Sequence, residues 1–135
     1  MESWATPAAL KGAKDNKSAT SVKITPGQAF TLSLLPTPSV KYPLRPEKPG
    51  GSVSHGGLAS FTVKEAGTWR VALGAGAWVD VVKDGKSAQS VNHGRGPACT
   101  GIRKMVDYAL TPGDYVLQIA GNGTNNITAL VTKLP

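Results

Sequence analysis

Tyr108-Ala109-Leu110-Thr111-Pro112-Gly113-Asp114-Tyr115-Val116-Leu117-Gln118-Ile119 is the most legible stretch of this chain. Its first three residues end an alternating strand over 105–110. Thr111-Pro112-Gly113 then reads as a turn, because proline presets φ and glycine accepts the positive-φ position. Tyr115, Leu117 and Ile119 follow at period two, the mark of a half-buried strand. The same plan occurs in Val22-Lys23-Ile24-Thr25-Pro26-Gly27-Gln28-Ala29-Phe30 and in Phe61-Thr62-Val63-Lys64-Glu65-Ala66-Gly67-Thr68-Trp69. Each copy is an apolar strand, a turn ending in glycine, then an aromatic opening the next strand. The copies hold no fixed period, as a solenoid would require. They read as three strand-to-strand corners of one sandwich, each packing an aromatic under its turn.

Working outward, alternating or short apolar runs predict strands over 19–24, 30–34, 58–63, 69–73, 77–82, 87–91, 105–110, 115–119 and 127–131. Asp84-Gly85 is a tight hairpin signal between the fifth and sixth of these. About nine strands at hairpin-like spacing predict an all-β fold, a single antiparallel β-sandwich of jelly-roll type. Residues 1–18 read as an extended or partly disordered arm, and 19–135 as the domain. Trp78, inside a near-continuous apolar run, is expected in the core.

The 135 residues suit one domain, large enough to bury a core without staples. One cysteine, Cys99, excludes an internal disulfide. Fifteen Lys and Arg against eight Asp and Glu give a formal charge of +7, which favours acidic partners. Nucleic acid is not expected among them, because the lysines are dispersed and form neither a basic helix nor a basic strand interleaved with aromatics. No apolar run is long enough for a transmembrane helix. Met1-Glu2-Ser3-Trp4-Ala5-Thr6-Pro7 reads as an initiator methionine set before the mature start of an exported chain, so a periplasmic or secreted location is expected.

Two segments break the strand pattern. Residues 36–57 carry five prolines and two Gly-Gly pairs, which forbid a central strand and leave a long loop of the kind that often has a function. Residues 92–104 form a central loop that collects Cys99, His93, two arginines and three glycines. Gly94-Arg95-Gly96 and Thr100-Gly101-Ile102-Arg103-Lys104 combine cationic side chains with glycine backbone N–H groups, a pairing that holds carboxylate, sulfate or phosphate. Arg45, Lys48 and His55 from the proline-rich loop are expected to join His93, Arg95, Arg103 and Lys104 in such a site. Tyr42 and Trp4 are the candidates for sugar stacking.

Other chemistries are less complete. His55, His93, Cys99 and Met105 are by type the two imidazoles, thiolate and thioether of a copper site, and the imidazoles also suit zinc or iron. In blue-copper proteins, however, the second histidine and the methionine follow the cysteine, whereas His93 precedes Cys99. His93, Arg95 and Arg103 near Cys99 would lower a thiol pKa, yet a lone cysteine is most often a small buried hydrophobe. Asp80 and Asp107 are the carboxylates nearest to a glycosidase pair, but alternation points each to solvent. No nucleophile elbow or metalloprotease histidine pair is present. Non-catalytic binding is therefore expected, with a metal-dependent redox or oxygenase protein as the alternative.

The 108–119 stretch resembles the last strands of bacterial pre-peptidase C-terminal domains and of jelly-roll carbohydrate-binding modules, which implies a sandwich used for binding. Tyr42-Pro43-Leu44-Arg45-Pro46-Glu47-Lys48-Pro49-Gly50-Gly51-Ser52 and His93-Gly94-Arg95-Gly96-Pro97-Ala98-Cys99-Thr100-Gly101-Ile102-Arg103-Lys104-Met105 are similar to segments of short exported proteobacterial proteins. Some of those carry the label homogentisate 1,2-dioxygenase. That enzyme is a far longer cupin-type chain whose iron is held by two histidines and a carboxylate, a pattern not reproduced here. What the resemblance implies is export and a β-sandwich. An acidic or polar glycan, or an anionic partner surface, is the expected ligand, with no cofactor.

Overall fold

The computed structural model describes residues 4–48, 50–51, 53–96 and 100–135. Eleven strands occur among them: β1 (Ala8–Lys11), β2 (Phe30–Ser33), β3 (Leu35–Pro36), β4 (His55–Val63), β5 (Gly67–Leu73), β6 (Trp78–Lys83), β7 (Lys86–Ser87), β8 (Ser90–Gly94), β9 (Lys104–Leu110), β10 (Gly113–Asn122) and β11 (Asn126–Lys133). They form two sheets. The front sheet runs β1-β2-β11-β5-β9-β8 and the back sheet β3-β4-β10-β6-β7. Without the added edge strands β1, β3 and β8, the first, eighth, third and sixth strands lie in front. The second, seventh, fourth and fifth lie behind. That order is a jelly roll, two Greek keys folded over one another.

Period-two alternation puts one face of each strand in the core. Leu32, Val71, Leu73 and Val131 of the front sheet meet Phe61, Val81, Leu117 and Ile119 of the back sheet, all buried. The corner plan holds in physical detail at two of its three sites. The Trp69 indole N–H donates to the Glu65 carbonyl at 3.2 Å, and the Tyr115 hydroxyl donates to the Thr111 carbonyl at 2.8 Å. Each aromatic thus ties the backbone four residues upstream while its ring fills the core, as in a tyrosine corner. Phe61 lies between them, 5.7 Å from the Tyr115 ring and 6.3 Å from Trp69. The Asp84-Gly85 turn has φ of 52° and 74°, the left-handed pair that the hairpin signal requires.

The strand expected over 19–24 does not form. Asp15 accepts a hydrogen bond from the Ser18 N–H at 2.8 Å and caps a single helical turn, α1 (Asn16–Ala19). Only the isolated bridge Lys23–Ser60 follows. Part of the expected arm is instead structural. β1 pairs in parallel with β2, placing Leu10 beside Leu32, and Ala13 then bridges to Leu58 of the back sheet. The N-terminal segment therefore closes one side of the sandwich by crossing from one sheet to the other. The run expected over 87–91 splits into β7 and β8, which belong to different sheets.

Candidate functional site

The opposite side of the sandwich stays open. β7 pairs only with Val82 and Lys83, so nothing extends the back sheet beside Trp78, and the chain crosses over to become β8. The gap is a groove of about 620 Å³ between β6 on one wall and β8 and β9 on the other. His93, Arg95, Arg103 and Lys104 line it together with Trp78 and Asp80.

The proline-rich loop reaches the same groove because the back sheet holds it. Fully buried Gln118 acts as a clamp: its amide oxygen accepts from the Leu44 N–H at 3.0 Å and its amide nitrogen donates to the Leu44 carbonyl at 2.9 Å. The Tyr42 hydroxyl donates to the Ile119 carbonyl at 3.0 Å. Pro46 is buried behind this anchor. Glu47 consequently lines the groove, and Lys48 Nζ lies 5.9 Å from the Trp78 ring centroid. Lys104 Nζ is 5.5 Å from the same centroid and donates to the Ala77 carbonyl at 2.9 Å. Both ammonium groups are within cation–π range of one indole.

The electrostatics follow from crowding. Burial lowers the Lys104 pKa, and the neighbouring Lys48 lowers it further, while Asp80 acts in the opposite direction. Asp80 is shifted upward by burial, partly offset by hydrogen bonds from the Trp78 indole and the Gln118 amide. That indole N–H lies 2.9 Å from the carboxylate, so Asp80 orients the tryptophan. Its carboxylate is largely occupied in doing so. The exposed cations Lys48, Arg95 and Arg103, with the exposed His93 imidazole beside them, thus face a cleft whose acids among the described residues are Asp80 and Glu47.

Two residues expected in the site lie elsewhere. Arg45 is exposed on the proline-rich loop but does not line the groove. His55 opens β4 on the back sheet, opposite Pro36 and Asn122, and its Nδ1 is buried with no hydrogen-bond partner among the described residues. The metal set is divided by strand parity. His93 pairs with Val106, whose side chain enters the core, whereas Gly94 pairs with Met105. Met105 packs on the other face of the front sheet with Ala72, Ile102, Leu130 and Trp4. Cys99 lies outside the described residues. Among the described residues no three His, Cys, Asp or Glu side chains gather as metal ligands.

Asp80 and Asp107 are both buried rather than solvent-facing, and they sit on different sheets. Asp107 is held by Arg70 in a two-pronged pair at 2.8 and 3.1 Å. The expected stacking aromatics are engaged as well: Trp4 packs on the front sheet, and Tyr42 packs against Val40 and Leu58. The aromatics that do line the groove are Trp78, half-buried, and Tyr108, buried. The signal for Trp78 was present in the sequence, since Trp78 and Asp80 alternate with the core residues Val79 and Val81.

A larger cleft of about 770 Å³ runs across the back sheet. Four lysines (Lys23, Lys64, Lys83, Lys133) and three carboxylates (Glu65, Asp84, Asp114) line it, so its charges largely offset. Lys83 is also engaged, donating to the Pro112 carbonyl and lying over the Tyr115 ring. Comparison with known proteins yields no match, either to a family model or to a curated protein.

Proposed function

We propose that this jelly roll is a non-catalytic binding module, working in the periplasm or outside the cell, that takes up its ligand through anionic groups. An acidic or polar glycan, or an acidic surface on a partner, meets that description. The observation that carries the reading is the convergence of both long loops on Trp78, with four cationic side chains, Lys48, Arg95, Arg103 and Lys104, around one groove. Arg95 and Arg103 offer planar forks suited to carboxylate or sulfate. Trp78 offers a flat apolar surface held in place by Asp80. Lys104, dehydrated and beside another lysine, gains from an incoming anion what Asp80 only partly supplies.

The test is retention on an immobilised acidic polysaccharide as salt is raised, for the wild type and for Arg95→Ala combined with Arg103→Ala. Each charged hydrogen-bonding partner is worth about 1.5 kcal/mol, so the double variant should lose about a hundredfold in affinity. Binding should weaken steeply with salt, because the groove is open and its charges are screened. Both arginines are exposed, so folding stability should change by less than about 0.5 kcal/mol. Retention that is unchanged by the double substitution rules the reading out.

A further inference from the structure

Resting on the reading of the groove as an anion site, we propose that its ligand is an acidic peptide in extended conformation, which adds to the free edge of β8 as a further strand. Three observations converge on this. First, β8 ends the front sheet, all five of its residues are exposed, and Val91 is 57% exposed. Edge strands are ordinarily blunted by lysine, proline, extreme shortness or a bulge. The other three edges use such devices: β1 ends in Lys11, β3 contains Pro36, and β7 is two residues long and begins with Lys86. β8 has a register shift between Ser90 and Asn92, but Asn92, His93 and Gly94 resume regular pairing with β9 and carry neither lysine nor proline.

Second, Gly94 has no internal reason to be glycine. Its φ is not in the left-handed region, and a Cβ there would meet no atom of the described residues within 4 Å. Gly76, across the groove, is equally unencumbered. A glycine in a strand that the fold does not need marks a place where another backbone comes close. Gly96 makes the contrast, since a side chain there would collide with Ile102.

Third, the charge lies on one side of this edge. His93, Arg95, Arg103 and Lys104 line the groove beneath β8. An added strand sends alternate side chains to that side. A peptide with acidic residues at every second position would therefore pair its backbone with β8 while laying each carboxylate on the cations. Strand addition of this kind takes affinity from main-chain hydrogen bonds and selectivity from alternate side chains.

The experiment is a fluorescence-anisotropy titration of the whole chain with a labelled peptide alternating glutamate and threonine. The comparators are an isomer with its glutamates in one block, two versions N-methylated on alternate residues in opposite phases, and an acidic oligosaccharide of matched charge. The alternating peptide should bind most tightly. The block isomer should be about tenfold weaker, and one N-methylated phase should lose binding while the other keeps it. Equal binding by both N-methylated phases overturns strand addition, and so does binding of the oligosaccharide alone. In either case, loss of binding in the double arginine variant leaves the anion site standing. Failure of every acidic probe to bind at low salt removes both readings.

Discussion

At the scale of single residues, the groove is governed by side chains whose charge is costly where it sits. Asp80 is the clearest case. Burial raises its pKa, so the folded state favours the protonated acid more than the unfolded chain does. Its relative stability is therefore fullest below the unfolded carboxylate range and falls as pH rises through the folded value. Asp80→Asn keeps an oxygen acceptor for the Trp78 indole and removes the buried charge. The variant should melt higher than wild type near neutral pH, and the gain should vanish in acid; equal melting temperatures at neutral pH would count against burial as the governing cause. Tyr42 gives the alkaline counterpart. Burial pushes its hydroxyl up to about 12 from an ordinary 10.0, so the folded chain keeps a proton that the unfolded chain releases. That stabilisation is complete below pH 10 and is lost as pH climbs toward 12. Tyr42→Phe should cost about 1 kcal/mol at neutral pH, for the bond to Ile119, and flatten the alkaline fall in denaturant midpoint.

At the scale of elements, the proline-rich segment, whose regular structure between β3 and β4 is the 3-10 turn Thr37–Ser39, shows how a loop is given a fixed place. Prolines remove ladder donors, so this segment cannot pair as a central strand. Its backbone is satisfied instead by local turns, by the Lys41 N–H donating to the Lys14 carbonyl, and by the Gln118 clamp on Leu44. Gly56 contributes by absence, since any Cβ there would occupy the position of the Tyr42 hydroxyl. Gln118→Ala should therefore act at a distance. It leaves the Leu44 N–H and carbonyl without partners, at a cost of about 1–3 kcal/mol. Amide exchange at Leu44 should quicken, and anion affinity should fall because Lys48 is no longer held over Trp78. Quickened exchange with unaltered affinity would show that the loop contributes nothing to binding. The corner plan was readable in advance because it is local: strand, turn and aromatic lie within nine residues of one another in each copy. Gln118 was not, because its partner lies 74 residues away.

At the scale of the molecule, the two open sides of the sandwich are treated differently. The N-terminal segment closes one side, with β1 covering the edge of β2 and Ala13 reaching the back sheet. Removal of residues 1–11 should uncover β2, cost about 2–4 kcal/mol for the lost packing of Leu10 and Trp4, and promote self-association through the bared edge. Sedimentation and thermal melting check this. A shortened chain that stays monomeric with an unchanged melting temperature would show that β1 is dispensable. The other side is left as the groove, where four of the fifteen Lys and Arg residues gather against two carboxylates.

The amino-acid order sufficed for the all-β class, most of the strands, the corner aromatics, the Asp84-Gly85 hairpin and the cationic character of 92–104, since these rest on period, turn chemistry and composition within a few residues. Tertiary structure decided the rest. It made an edge strand of residues 8–11, because pairing with β2 outweighs their weak local preference. It set Trp78 on the groove wall, because with Val79 and Val81 turned into the core the intervening Trp78 and Asp80 face the other way, toward Lys48 and Lys104. It separated His93 from Met105, because a strand sends the side chains of alternate pairs to opposite faces. Most of all, it brought Lys48 and Lys104 to one indole. Neighbourhood between residues so far apart along the chain is set by sheet order, and sheet order is a property of the packed whole.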